Sequence, residues 1–185
     1  MSDLSQFVRE YVAEARRLLE TLDPAPIATA ISWLRGAREA GKMILACGNG
    51  GSASIASQMV VDMVKGASCG RDKRFRMLSL TDSIATVTAY ANDMSYEDVF
   101  VEQVKNYADP GNILIAISGS GNSPNVIKAV DYANSAGLKT IGLTSGVGGE
   151  LREISQLAIT IPTTHMGHLE DGFFLVTHIL SGQAS

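Results

Sequence analysis

All three histidines of this chain lie near its C-terminal end. His165 and His168 stand in HMGHLED (165–171), and His178 follows seven residues later. The same segment carries Glu170 and Asp171. Carboxylates and imidazoles gathered in one place can take up and return protons near neutral pH. They also ligate metals, imidazole suiting zinc and carboxylate suiting harder cations. Two glycine-rich stretches, CGNGGSAS (47–54) and SGSGNSPN (118–125), are the other places where the residue types suggest chemistry.

In the first stretch Gly48, Gly50 and Gly51 allow positive φ and close backbone approach. Asn49 and Ser52 add hydrogen-bonding side chains. The pattern is neither G-x-G-x-x-G nor a Walker A loop, which ends in GK[ST]. It reads either as a ligand turn or as a tight strand-to-helix connection. In the second stretch Ser118, Ser120 and Ser123 offer hydroxyls, while Gly119 and Gly121 free the backbone. Ser123 can cap the following helix, with Pro124 in its first turn. Hydroxyls and free N–H groups at a helix N-terminus, where the dipole is positive, favour a phosphate.

The elements that must position these groups alternate in type. Short apolar runs at 43–48, 76–80, 112–118, 139–145 and 157–162 predict five strands. Helical patterns fall at about 52–65, 83–91, 95–107, 123–136, 148–154 and 167–180. Strands that are apolar on both faces and alternate with helices predict a parallel sheet covered on both sides, a three-layer α/β sandwich. Two helices precede the first strand. Phe7, Tyr11, Val12, Ala15, Leu18 and Leu19 form an apolar stripe on the first, which Asp3 or Ser5 can cap. The second is expected from about Ile27 to Ala40, after Pro24 and Pro26. The stripe must be covered by the domain's own core or by another subunit.

Composition narrows the function. A chain of 185 residues with 45% hydrophobic and 18% charged residues suits one globular domain. A formal charge of −4 argues against non-specific nucleic-acid binding. Two cysteines, Cys47 and Cys69, read as thiols in a reducing compartment, not as a disulfide framework. With no signal-like N-terminal segment and no spanning apolar run, a cytoplasmic protein with no membrane partner is expected.

Taken together, CGNGGSA, ANDMSYEDVF, AISGSGNSPNVIKA, IGLTS and a closing helix with THIL resemble the sugar isomerase (SIS) domain family, nearest to its phosphoheptose isomerase group. The resemblance spans 1–185 as a single SIS domain, with 1–41 as a helical pair used in packing and 42–185 as the α/β core. It implies a five-stranded parallel fold, a homotetramer with sites at subunit interfaces, and an aldose–ketose isomerase of a phosphorylated sugar. The substrate it implies is sedoheptulose 7-phosphate, converted to a heptose 7-phosphate through an enediol. It casts Ser118, Ser120 and Ser123 as the phosphate cradle, with Gly119 where the family often has threonine. Asn49, Gly50, Gly51, Ser52 and Asp93 fall on positions similar to sugar-contacting ones.

The family's catalytic or zinc set is a His and a Glu four apart, with a Gln and a His eight apart. Here those positions read Gln58, Asp62, Glu170 and His178. Positions 58 and 62 share one helix face, and 170 and 178 lie about 80° apart around a helix of ~3.6 residues per turn. The resemblance implies Asp62 as the base with His178 as its partner, or Glu170 in Asp62's place. Zinc is among its implications, although this set is poorer in imidazole; no organic cofactor is implied. Two other readings stay open: a non-catalytic phosphosugar sensor or adaptor, similar to the replication-initiator-associating members, and an isomerase of another phosphosugar. His165 and His168 read as solvated residues, substrate contacts or replacement ligands, and Asp171 as a group that orients His178. The basic stretch 65–75 reads as a solvated loop or a phosphate contact from a neighbouring subunit.

Overall fold

The computed structural model of the chain describes residues 4–184. The five expected strands form one parallel sheet: β1 (Met43–Gly48), β2 (Arg76–Ser79), β3 (Ile113–Ser118), β4 (Lys139–Ser145) and β5 (Leu157–Ile161), in the order β2-β1-β3-β4-β5. Leu45 is in register with Leu114, Leu114 with Thr140, and Ile141 with Leu157. Apolar residues at successive positions let these strands be buried on both faces. All six residues of β3 are buried.

Among the described residues eight α-helices accompany the sheet: α1 (Leu4–Glu20), α2 (Pro24–Glu39), α3 (Gly51–Val61), α4 (Ile84–Asp93), α5 (Val101–Lys105), α6 (Pro124–Ser135), α7 (Gly149–Ile154) and α8 (Met166–Ala184). Alternation along the strands divides the core in two. Ile44, Ala46, Ile113, Ile115 and Ile117 pack with Leu34 of α2, Ile55 and Met59 of α3, and Phe173 and Val176 of α8. Leu45, Cys47, Leu114 and Ala116 pack with Phe100, Val104 of α5, Val126 and Val130 of α6, and Leu151 of α7. The chain moves outward from β1 to β2 and then returns past β1 to β3. The loops leaving β1 and β3 therefore diverge to opposite sides of the sheet, and a crevice opens between them.

Several boundaries differ from the sequence expectation. Helix α2 begins at Pro24 because the Asp23 side chain accepts from the Ala25 N–H at 2.9 Å. A proline in the first helical turn removes no needed hydrogen bond. Helix α3 stops at Val61, and Asp62–Gly66 wind as a π-helical turn, the Ala67 N–H donating to the Asp62 carbonyl at 2.7 Å. The expected helix 95–107 divides into a 3-10 turn, Tyr96–Asp98, and α5. Of the proposed caps for α1, Asp3 lies outside the described residues and Ser5 falls within the helix.

The stripe on α1 is not covered by the domain's own core. Leu18 is buried, but Phe7 and Val12 remain 61% and 60% exposed. No helix among the described residues is long and apolar enough to cross a membrane.

Candidate active site

The serine turn follows β3. Ser118 is buried, with its Oγ 3.0 Å from that of Ser123 and 3.5 Å from that of Ser120. Ser123 occupies the N-cap of α6 in extended conformation, ahead of Pro124, yet its side chain makes no capping hydrogen bond. The expected cap is thus corrected: the hydroxyl faces Ser118 instead. Three hydroxyls gather where the positive end of a twelve-residue helix points. The turn is held by the loop after β4. Gly121 has φ 68°, and a Cβ there would lie 1.9 Å from the Gly148 carbonyl oxygen. The Leu151 N–H donates to Gly121 O at 2.8 Å, and the Glu150 N–H donates to Asn122 Oδ1 at 3.0 Å. This support was missed in the sequence; its signal is GVGG (146–149), which reads there only as a helix start.

The other glycine turn is bound into the chain. The Asn49 and Asn125 amides each donate to the other's oxygen, at 2.9 and 3.0 Å, and the Tyr96 hydroxyl donates to Asn49 Oδ1 at 2.9 Å. Asn125 is 2% exposed, so this pair ties the turn after β1 to the first turn of α6. Neither Asn125 nor Tyr96 stood out in the sequence. Ser52 is buried, and Gly50 takes φ 56° at the start of α3. Gly51 faces α8: a Cβ added there would sit 2.0 Å from Glu170 Oε1.

Asn49, Gly51, Ser52, Ser118, Gly119, Ser120, Ser123, Met166 and Glu170 surround a cleft of about 260 Å³. Among the described residues, Glu170 is the one ionisable side chain on its walls. A Cβ at Gly119 would lie 3.0 Å from Leu169 Cδ2 and 3.3 Å from Met166 Cε, a tight fit against the ends of two flexible side chains. Asp93 is not among the residues lining the cleft. It closes α4, and its Oδ1 accepts from Asn92 Nδ2 at 2.8 Å.

Asp62 and His178 meet elsewhere. Asp62 Oδ2 is buried without a hydrogen-bond partner, and His178 Nε2 lies 3.5 Å from it. Gln58 Nε2 donates to the other carboxylate oxygen at 3.0 Å. The pair lines a second cavity, about 280 Å³, with Gly66, Ala67, Ser181 and Gly182. The two cavities share no lining residue. Sequence spacing put Glu170 and His178 on one helix face, but eight residues at ~1.5 Å rise separate them by about 12 Å along α8. Within one chain Gln58, Asp62 and His178 come together, and Glu170 lines the other cavity.

That separation bears on the zinc expectation for a single chain. Zinc asks for three or four ligands around one point. The described residues hold no group of three or more His, Cys, Asp or Glu side chains that could bind a metal. Asp62 and His178 are two, Gln58 directs its N–H at Asp62, and Glu170 turns into the serine cleft. A single chain therefore brings Asp62, His178 and Gln58 together, apart from Glu170.

The remaining histidines build a contact between helices. His168 is 5% exposed, which corrects its solvated reading. Its ring lies 4.0 Å from that of Tyr11 and 4.6 Å from that of His165, between centroids. Asp171 accepts from the Tyr11 hydroxyl at 3.1 Å instead of orienting His178. Burial, then the hydrogen bond and charge of Asp171 and the charge of Glu170, push the Tyr11 phenol pKa up. The basic stretch is a surface loop in which Lys73 pairs with Glu39 at 2.8 Å. Cys47 is buried, its thiol pushed up to about 12, and Cys69 is exposed.

With this geometry in hand, comparison with known proteins gives a consistent picture. The SIS domain profile matches residues 10–145. A phosphoheptose isomerase of Rhodospirillum rubrum is 35% identical over 161 residues, 86% of this chain and 85% of its own length. One from Aromatoleum aromaticum is 34% identical over 185 residues, covering 97% of this chain and 93% of its own. The structure of phosphoheptose isomerase GmhA from Neisseria gonorrhoeae superposes with a TM-score of 0.91 at 28% identity, over 98% of both chains.

Proposed function

Because the chain belongs to the SIS domain family, we propose that it is an aldose–ketose isomerase of a phosphorylated sugar, interconverting sedoheptulose 7-phosphate and a heptose 7-phosphate. One observation carries the reading at the site. The Ser118 hydroxyl lies beside those of Ser120 and Ser123, and Ser123 makes no capping bond, at the N-terminus of α6 inside a cleft. Hydroxyl donors and a helix dipole bind a phosphate ester without needing a net positive surface.

The chemistry needs a base to remove the proton from the carbon beside the carbonyl. It also needs a group to pass a proton between the two sugar oxygens of the enediol. The conjugate acid then returns the first proton to the neighbouring carbon. Asp62 and His178 supply both groups 3.5 Å apart, and the buried, unpaired Asp62 Oδ2 is the acceptor. Gln58 holds the other oxygen of that carboxylate and so fixes its orientation.

We infer a homo-oligomer, a tetramer as the resemblance implies, in which the Asp62–His178 pair of one copy closes the serine cleft of another. Two features support this. Cradle and pair open into separate cavities of one chain, and Phe7 and Val12 on the apolar face of α1 stay exposed. Unpaired cysteines and a phosphorylated substrate suit the cytoplasm.

Subunit mixing tests the reading. Ser120→Ala and Asp62→Asn are each expected to lose most isomerase activity as pure proteins. Dissociated together and reassembled, they should regain activity, because some interfaces then join an intact cradle to an intact pair. Mixtures as inactive as their components would refute the shared site. Wild-type turnover by Asp62→Asn and by His178→Ala would refute the assigned chemistry.

A further inference from the structure

The turn after β1 looks like a second ligand loop, but the chain's own carboxylate fills it. Glu170 Oε1 lies 2.0 Å from the point where a Cβ of residue 51 would be, and Oε2 lies 3.2 Å from it. The φ of Gly51 is not positive, so its backbone is open to any L residue. An L side chain there would instead have to displace the end of the Glu170 side chain. Helix α3 starts at Gly51 with Gly50 as its N-cap, and no side chain caps it. Its positive end therefore faces a carboxylate.

The geometry points to Gly51 as a positioning residue for Glu170: the bare α-carbon seats the carboxylate in the cleft wall, where it reads sugar hydroxyls beside the phosphate. The inference rests on the cleft being the phosphosugar site proposed above. An ionised carboxylate only accepts hydrogen bonds, which suits the hydroxyls of a polyol chain and repels a phosphate. Both charges can occupy one cleft only if the carboxylate is held back against α3. A methyl group at residue 51 would take its place and displace it within the cleft that Ser118 and Ser120 also line.

A double-substitution cycle reads this directly. Two quantities are measured: kcat and KM for sedoheptulose 7-phosphate, and the affinity for inorganic phosphate by calorimetry. Gly51→Ala is expected to lower kcat/KM on the order of 100-fold, the scale of a ~1 Å misplacement. It is also expected to weaken phosphate binding. Glu170→Ala should raise KM for the sugar yet leave phosphate binding as tight or tighter. Gly51→Ala combined with Glu170→Ala should match Glu170→Ala alone in both measurements. Gly36→Ala is the control, because nothing lies within 4 Å of a Cβ at that helical position. The seat is disproved if Gly51→Ala costs as much in the Glu170→Ala background, or if Gly51→Ala binds phosphate like wild type. Should wild type turn over no sugar phosphate, the isomerase reading fails, while the phosphate cycle still decides the seat.

Discussion

The two glycine-rich turns leave neighbouring strands of one sheet and have similar compositions, yet they face different tasks. After β3, the Ser118, Ser120 and Ser123 hydroxyls turn towards one another and line open space. After β1, the Asn49 amide is locked to Asn125, Ser52 is buried, and the open side of Gly51 is filled by Glu170. Both turns line the cleft, but the one after β1 is also tied to α6 and α8 through Asn125 and Glu170. Glycine content does not distinguish them. What does is where the polar side chains find their partners: the serine hydroxyls bond within their own turn, while Asn49 is tied to Asn125 and Tyr96 on other elements.

This contrast can be broken or sharpened by measurement. The largest effect should come from a residue in neither turn. Asp62→Asn removes the proton acceptor and is expected to lower kcat by about 10²- to 10⁴-fold, with KM and melting temperature near wild type. A comparable rise in KM would show that Asp62 binds substrate and does not abstract the proton. Next, Ser120→Ala removes one donor to a charged group, worth ~1.5–3 kcal/mol. It should raise KM about 10- to 100-fold with little change in thermal stability. A lowered melting temperature with unchanged KM would place the serine turn in the same structural class as the other. In the first turn the order reverses. Asn125→Ala leaves the Asn49 amide without its partner and should cost ~1–3 kcal/mol of folding stability in denaturant titration. An unaltered midpoint would show that the amide pair holds nothing. The smallest effect concerns Cys47, at the end of β1. A thiol pushed up to about 12 stays protonated at neutral pH, so a thiol-specific reagent should label one cysteine, Cys69, in the folded protein. Labelling of both without denaturant would contradict the burial of the strand that launches the first turn.

Much of the fold was legible in the residue pattern. Strands such as NILIAIS are apolar without interruption, which only a sheet buried on both faces explains, and five of them alternate with helices. The serine turn was legible as hydroxyls at a helix start, open to a phosphate or to an ordinary capped turn. The partners of these groups were less visible. Nothing near residue 49 in the sequence points to residue 125, and nothing near 11 points to 171. Helix periodicity placed Glu170 and His178 on one side of α8 but ignored the rise along its axis, which puts them in different cavities. The π-helical turn at Asp62–Gly66 has no signal in residue types that differs from an ordinary helix.

The sequence by itself determined the alternation of strands and helices, the two turns at the sheet's C-terminal edge and the inventory of acids, imidazoles and hydroxyls. Those follow from local preferences and burial, which act between near neighbours in the chain. Only the tertiary structure decided which of those groups face a cleft, which are tied to one another, and that Glu170 occupies the space Gly51 leaves vacant. Such pairings depend on the distance between side chains carried by separate helices, and that distance is set by how α3, α6 and α8 pack around the sheet.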